Sequence, residues 1–258
     1  MHKVNRKEGK YTWLSLVFFV FLIFIVIVWI LFKLVFLIYE SKISLGGEFA
    51  IDFYNHNNNQ VVLFKHQSKI KVININNISP QAVPMKFEIP IEEFVKSDYL
   101  VSKSDFSQFF NREILSSNSL NLVDKVKLFY LLKKSKVNFY SFSSKMSSKN
   151  SLISSIFSDS TIYTENKTIA IVNATGQNGY ADSLANLITN IGGNVISTTA
   201  SPYTLDKSTI IYTNNQSYTL NRIEKILNFS VKLNTHSQNA IADIIINIGK
   251  DQINTTKF

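Results

Sequence analysis

Cysteine is absent from all 258 residues. No disulfide, thiolate nucleophile or cysteine-ligated metal site is therefore available. Histidine is scarce. His2, His56, His66 and His236 are the only four, none stands in a His-Glu-x-x-His or other ligand spacing, and each reads as an ordinary polar surface residue. Arginine is nearly missing: of 27 lysines and arginines, only Arg6, Arg112 and Arg222 are arginine. There is no Gly-x-Ser-x-Gly, no Walker loop and no dinucleotide-binding fingerprint. The chain thus shows no catalytic set, no metal site and no cofactor motif.

What is present begins with charge. The net charge of +9 is not one patch. Lys3, Arg6, Lys7 and Lys10 against Glu8 give +3 in the first 13 residues, Lys33 gives +1, and +5 is left for residues 40–258. Spread charge of this kind reads first as solubility. From Leu14 to Phe32, only Ser15 and Trp29 are not Leu, Ile, Val or Phe, and the apolar run resumes over Leu34–Tyr39. About 20 such residues cross the ~30 Å hydrocarbon core. We expect a basic cytoplasmic tail (1–13), a transmembrane helix (14–38) with Lys33 snorkelling near the outer interface, and an extracytoplasmic remainder. A cleaved signal peptide is disfavoured by the length of the run.

The remainder is expected to be α/β, as two small domains with mixed sheets. Residues 40–60, with Gly46-Gly47 and Asn57-Asn58-Asn59, read as a linker and turn. Gln60–Lys65, Lys69–Asn76 and Met85–Ile89 read as strands, the second with one phase slip, and Pro80 and Pro84 as loop markers. Helices are expected over Phe106–Leu115, capped by Ser104 or Asp105, and over Leu122–Lys133, capped by Asn121. Asp98 reads as a turn residue. The Ser-rich stretch 141–165 reads as a loose connection between a first domain (47–140) and a second (166–252). The second is βαββαβ-like with one extra short strand. Strand Thr168–Asn173 is followed by a turn and by a helix to Ile191, stopped by Gly192-Gly193. Asn194–Ala200 and Ser208–Thr213 are strands, Ser217 caps a second helix, and Val231–Leu233 and Asp243–Ile248 complete the order. Its expected core includes Ile171, Leu184, Leu187, Ile211, Ile223 and Ile245.

The run Ile169-Ala170-Ile171-Val172-Asn173-Ala174-Thr175-Gly176, then Gly179-Tyr180-Ala181, a Leu-bearing helix and Gly192-Gly193, resembles the LytR C-terminal domain. Thr209-Ile210-Ile211-Tyr212 and Ile248-Gly249-Lys250-Asp251 fit the same pattern over about residues 166–252. That module often follows the catalytic domain of LytR-CpsA-Psr proteins in bacterial envelopes, so the resemblance implies a surface-exposed envelope module for binding or assembly. The region before it faintly resembles a shortened LytR-CpsA-Psr domain through Glu88-Ile89-Pro90-Ile91-Glu92-Glu93-Phe94. Family enzymes move a lipid-linked polymer to peptidoglycan, using arginines, acidic groups and a divalent metal. Here Ile91 stands where an arginine is expected and Glu92 stands for the aspartate. A pyrophosphate clamp calls for several guanidinium forks, and Arg112 and Arg222 fall in different expected domains. The resemblance therefore implies the domain's shape without its chemistry: a non-catalytic factor that binds wall polymer or an envelope protein, or forms a homo-oligomer. A glycopolymer-transferring enzyme is the alternative.

Candidate ligand-binding residues are few. Asn173, Thr175, Gly176 and Gly179 form a strand-to-helix loop whose N–H groups can face an anion, but whose glycines can equally serve only to permit a tight turn. The Gly-x-x-Gly spacing is similar to the nucleotide-clamping loop of a KH domain, yet an outside location argues against nucleic acid. Lys65, Lys71, Lys86 and Arg112 are the cations to watch for convergence on a pocket. Glu92 and Glu93, being adjacent, diverge and read as a solvated helix start. Asp251 is expected to end the last strand and fix a turn.

Overall fold

A computed structural model describes residues 8–41, 43, 48–56, 58–65, 69–97, 108, 112, 114–115, 117–118, 120–146, 151–213, 216–234, 241–253 and 255. The cations before Glu8, Gly46-Gly47, Asn57, His2, His66, His236, Asp98 and both proposed caps Ser104 and Asp105 lie outside the described residues. So does most of the expected helix 106–115.

Helix α1 spans Glu8–Tyr39. Its segment Trp13–Tyr39 is long and apolar enough to cross a membrane, and none of it is enclosed by the rest of the chain. A helix apolar on every side has no preferred face to bury against a single domain. Lys33 folds back so that its Nζ lies 4.5 Å from the Trp29 ring, a cation–π contact one turn away.

The first domain is built on a five-stranded sheet in the order β4-β1-β2-β3-β5. The strands are β1 (Phe49–Asn55), β2 (Asn58–Lys65), β3 (Lys69–Asn76), β4 (Glu93–Lys96) and β5 (Lys136–Phe142). β1, β2 and β3 pair antiparallel, while β4 and β5 join the edges parallel. Both faces are covered. Phe49, Ile51, Phe53, Val62, Ile70 and Val72 pack on one side with Leu128 of helix α3 (Leu122–Lys134). On the other, Ala50, Val61, Leu63, Ile73 and Ile75 meet Phe87 of helix α2 (Ala82–Phe87) and Ile153, Ile156 and Phe157 of helix α4 (Ser151–Phe157). The phase slip in β3 follows from this: Ile70 and Val72 serve one core, and Ile73 and Ile75 the other.

Four expectations are corrected here. The stretch read as a linker contains β1, a central strand whose Phe49 stacks on Phe64 with ring centroids 4.5 Å apart. Buried on both faces, it lacks the alternation that marks a half-exposed strand. Met85–Ile89 is not a strand: Met85 to Phe87 end α2, with Glu88 as its left-handed cap at φ 49°. Pro84 sits in that helix's first turn, where its missing N–H costs nothing. The Ser-rich stretch is not a loose connection. It holds the end of β5, then α4 and helix α5 (Ser160–Glu165). Serine content hid α4, whose three buried apolar side chains fix it to the sheet.

The second domain carries the sheet β7-β6-β10-β8-β9, formed by β6 (Thr168–Asn173), β7 (Asn194–Ala200), β8 (Thr209–Tyr212), β9 (Ser230–Leu233) and β10 (Ile244–Ile248). Helices α6 (Tyr180–Asn190) and α7 (Tyr218–Leu227) lie in the same core as Ile169, Ile171, Ile210, Ile244, Ile246 and Ile248. Ser217 caps α7, its Oγ accepting the Leu220 N–H at 3.1 Å. Ile171, Leu184, Leu187 and Ile223 are fully buried as expected. The fourth correction is one of phase: Ile211 and Ile245, which face each other across the β8–β10 ladder, are only half-buried, and Ile210, Ile244 and Ile246 point inward. In a strand with isoleucine on both parities, side-chain size does not reveal the inner face.

Candidate functional site

The loop after β6 is closed on itself. The Asn173 Oδ1 accepts the Thr175 N–H at 3.1 Å and its hydroxyl at 2.7 Å, while the Asn173 amide donates to the Gln177 carbonyl at 2.7 Å. The Gln177 N–H donates to the Thr175 hydroxyl at 3.0 Å. Gly176 and Gly179 take φ of 79° and 94°, a region that other residues enter only under strain. The side chains of Asn173 and Thr175 thus shape the turn that launches α6.

Lys65 and Lys71 come together, each at the C-terminal end of α4. Lys65 donates to the Ser158 carbonyl at 2.5 Å and pairs with Glu48 at 3.3 Å. Lys71 donates to the Ser155 and Ile156 carbonyls at 3.1 and 3.0 Å. Ammonium groups are favoured at the negative end of a helix, where carbonyls have no partner within the helix. Burial, and secondarily the neighbouring Lys65, pull the Lys71 ammonium down to about 8. Burial pushes the Glu48 carboxyl up to about 7 against the opposing pull of Lys65. Lys86 is exposed on α2 and Arg112 is exposed elsewhere. Neither lines the clefts described below.

Asp52 is the least expected group. Its carboxyl is wholly buried on the α2–α4 side of the sheet, where neither oxygen makes a well-formed hydrogen bond and the Gln60 backbone offers a weak one at most. Burial pushes it up to about 7, and the Gln60 backbone only partly opposes this. Its burial is unexpected because residues 40–60 read as a linker and turn, where an aspartate is unremarkable.

The two domains meet through polar contacts. Arg222, on α7, pairs with Glu92 at 2.5 Å, and both side chains are nearly enclosed. The other carboxylate oxygen of Glu92 accepts the Ala50 N–H at 2.6 Å. This corrects the reading of Glu92 as part of a solvated helix start: the segment enters β4, and Glu92 is the acidic half of the joint. The glutamate's partner is 130 positions along the chain, beyond any local pattern. Asn190, the last residue of α6, donates to the Phe87 and Glu88 carbonyls at 3.3 and 3.0 Å, satisfying the end of α2. Asn186 reaches the Glu88 carboxylate at 3.2 Å.

Helix α5 belongs structurally with the second domain. The Tyr218 hydroxyl donates to Asp159 at 2.6 Å. Glu165 accepts the N–H groups of Tyr218 and Thr219 at 2.9 and 2.7 Å and the Thr219 hydroxyl at 2.5 Å. Burial alone would raise the Glu165 carboxyl, but these bonds outweigh it and hold it below the usual carboxylate range. Asp251 does not end the last strand, which stops at Ile248, but sits in the turn Lys250–Gln252 beyond it. It accepts the Ser208 N–H at 3.0 Å and hydroxyl at 2.7 Å, pinning the entry to β8.

Beside the joint opens a cleft of 570 Å³. Pro84, Pro90, Ile91 and Phe94 supply its wall from the first domain. Lys225, Ile226 and Asn228 supply the wall from the second. Glu40 and Ser41, just past the end of α1, complete it together with Glu92. Among the described residues, no group of three or more acidic or histidine side chains is placed to hold a metal ion.

Neither the curated proteins nor the solved structures contain a match to the chain. Residues 166–251 match the family described as LytR cell envelope-related transcriptional attenuator. Their span coincides with the β6–β10 sheet, its two helices and the closing turn at Lys250–Gln252. The second domain is therefore a LytR C-terminal domain, and the chain that carries it is a cell-envelope-related protein.

Proposed function

We propose that this is a single-pass envelope protein, with its basic tail in the cytoplasm and both domains outside, that binds wall polymer or an envelope partner at the interdomain cleft without catalysis. The carrying observation is the position of the cleft. Its rim includes Glu40 and Ser41, so a chain anchored through α1 holds the cleft beside the bilayer surface. Its walls combine apolar surface with hydrogen-bonding groups, as suits an amphipathic or sugar-bearing ligand. The chemistry also favours holding over transfer. Moving a pyrophosphate-linked polymer requires groups free to neutralise developing charge. Glu92, which stands for the acidic family residue, has both oxygens engaged by Arg222 and Ala50.

The test uses the full chain in lipid nanodiscs and purified wall glycopolymer. Retention of polymer, weakened by Phe94→Ser and Lys225→Glu and declining as salt rises, is the expected result. Metal-dependent release of polyprenyl phosphate from a lipid-linked polymer would instead establish the transferase reading. A reporter fused after Phe258 should be active outside the cytoplasm, and a cytoplasmic C-terminus would reverse the topology.

A further inference from the structure

Helix α3 has two unlike faces. Asp124 and Leu128 are buried against the first domain. On the opposite side, Leu122, Val126, Phe129 and Tyr130 are 66%, 61%, 56% and 54% exposed. Their spacing of four, seven and eight residues from Leu122 lines them along one stripe. Leu122, Val126 and Phe129 line a mostly apolar groove of 320 Å³ with Ile114, Leu115 and Lys125. Four large apolar side chains in one exposed stripe are unusual on a surface that meets only water.

The start of α3 is tied to the end of α1. The amide of Asn121, the residue that caps α3, donates to the Leu37 carbonyl at 3.1 Å. One turn on, Asp124 accepts the Ser41 hydroxyl at 2.6 Å and the Ile43 N–H at 3.1 Å. Lys127 donates to the Ser41 hydroxyl at 2.6 Å and to the Ile43 carbonyl at 2.7 Å. Leu37 lies inside the apolar span Trp13–Tyr39, whose 27 residues rise about 40 Å at ~1.5 Å each. That exceeds the ~30 Å core, so the last turns of α1 reach the headgroup layer. The cap of α3 is hydrogen-bonded to one of those turns, and the apolar stripe begins at the next residue.

We propose that the Leu122–Tyr130 stripe of α3 lies in the phospholipid interface of the bilayer that α1 crosses, making α3 an in-plane second membrane contact. This rests on the anchored reading of α1. The chemistry fits an interfacial helix: Leu, Val and Phe supply the inserted face, and Tyr130 is an amphipathic ring suited to headgroup depth. The exposed Lys133 lies on the same side, where its stem can run along the stripe while its ammonium reaches phosphate; the Lys125 ammonium donates to the Leu115 carbonyl at 3.1 Å.

The native absence of cysteine permits a direct test on the full chain. Single variants Val126→Cys, Phe129→Cys, Trp29→Cys and Tyr203→Cys are labelled with an environment-sensitive fluorophore. They are reconstituted in phosphatidylcholine–phosphatidylglycerol nanodiscs carrying doxyl-labelled lipid. We expect positions 126 and 129 to lose most of their emission to a shallow doxyl group and to be shielded from aqueous iodide. Position 203, exposed on the second domain, should be quenched by iodide alone, and position 29 by a deep doxyl group. Quenching at 29 with none at 126 or 129 overturns the proposal and leaves the anchor standing. No lipid quenching at 29 overturns the anchor itself. Shielding at 126 and 129 that ignores doxyl lipid but disappears on dilution assigns the stripe to a second copy of the chain and overturns the bilayer as its occupant.

Discussion

The guanidinium of Arg222 meets the carboxylate of Glu92 at 2.5 Å, joining helix α7 of the second domain to the entry of β4 in the first. Each charge is out of water and relies on the other. Removing one partner leaves the second buried and uncompensated.

Arg222→Ala should therefore lower stability by about 3–5 kcal/mol, and Glu92→Gln by less, because the amide oxygen that replaces the carboxylate can still accept a hydrogen bond from the guanidinium. In a double-mutant cycle followed by chemical denaturation, the two effects should be strongly non-additive. Additive losses would show that the residues act separately.

Helix α5 lies ahead of the matched span 166–251 yet is hydrogen-bonded to α7 of the second domain. A protein beginning at residue 166 lacks Asp159 and Glu165, and so lacks the partner of the Tyr218 hydroxyl and the acceptor at the start of α7. Residues 158–258 should melt cooperatively and at a higher temperature than residues 166–258. The lost helix-end acceptor alone is worth about 1–2 kcal/mol. Equal melting temperatures would remove α5 from the folding unit.

Leu184 is wholly enclosed among Ile171, Leu187 and Ile223. Leu184→Ala should cost roughly 2–5 kcal/mol in equilibrium unfolding. A smaller loss would mean that the core collapses around the gap.

Asp52 and Glu165 should give opposite pH dependences. The Asp52 carboxyl is raised in the fold from an ordinary 3.8 to about 7. Its contribution is full below about 4 and is lost as pH rises towards 7, because the unfolded chain ionises first. Glu165 is held low, so its contribution is present above the ordinary carboxylate range and is lost as pH falls through its folded value. Asp52→Asn should thus raise stability at pH above about 7 relative to the parent, and much less at pH about 4. Thermal melts of the parent and variant across that range should converge towards the acid side. A constant gap would show that Asp52 does not titrate.

What sequence revealed and what it concealed divide along a physical line. The second domain was legible because its local signals agree: apolar strands, glycines where φ is positive, Ser217 as a cap and an amphipathic α7. Asn121 was legible for the same reason, as a cap accepting the Asp124 N–H at 2.8 Å. β1 was concealed because it is buried on both faces and carries Asp52 in its middle. The inward parity of β8 and β10 was concealed because isoleucine occupies both parities. Of the candidate site, the shape of the Asn173–Gly179 turn follows from local chemistry. The Glu92–Arg222 joint, the lysines at the end of α4 and the cleft depend on contacts between residues dozens to more than a hundred positions apart.

The Asn121–Leu37 hydrogen bond bears on how far the outer domains can travel. A domain hung from its membrane helix by loose chain sweeps a hemisphere and can search for distant partners. Here the first domain grips the last turns of its own helix, so swivelling or tilting of that helix carries the sheet with it. On the anchored reading, the protein is a post of fixed height rather than a leash. Whatever occupies the cleft must arrive at that height, and a change in bilayer thickness would raise or lower the cleft together with the headgroups around it.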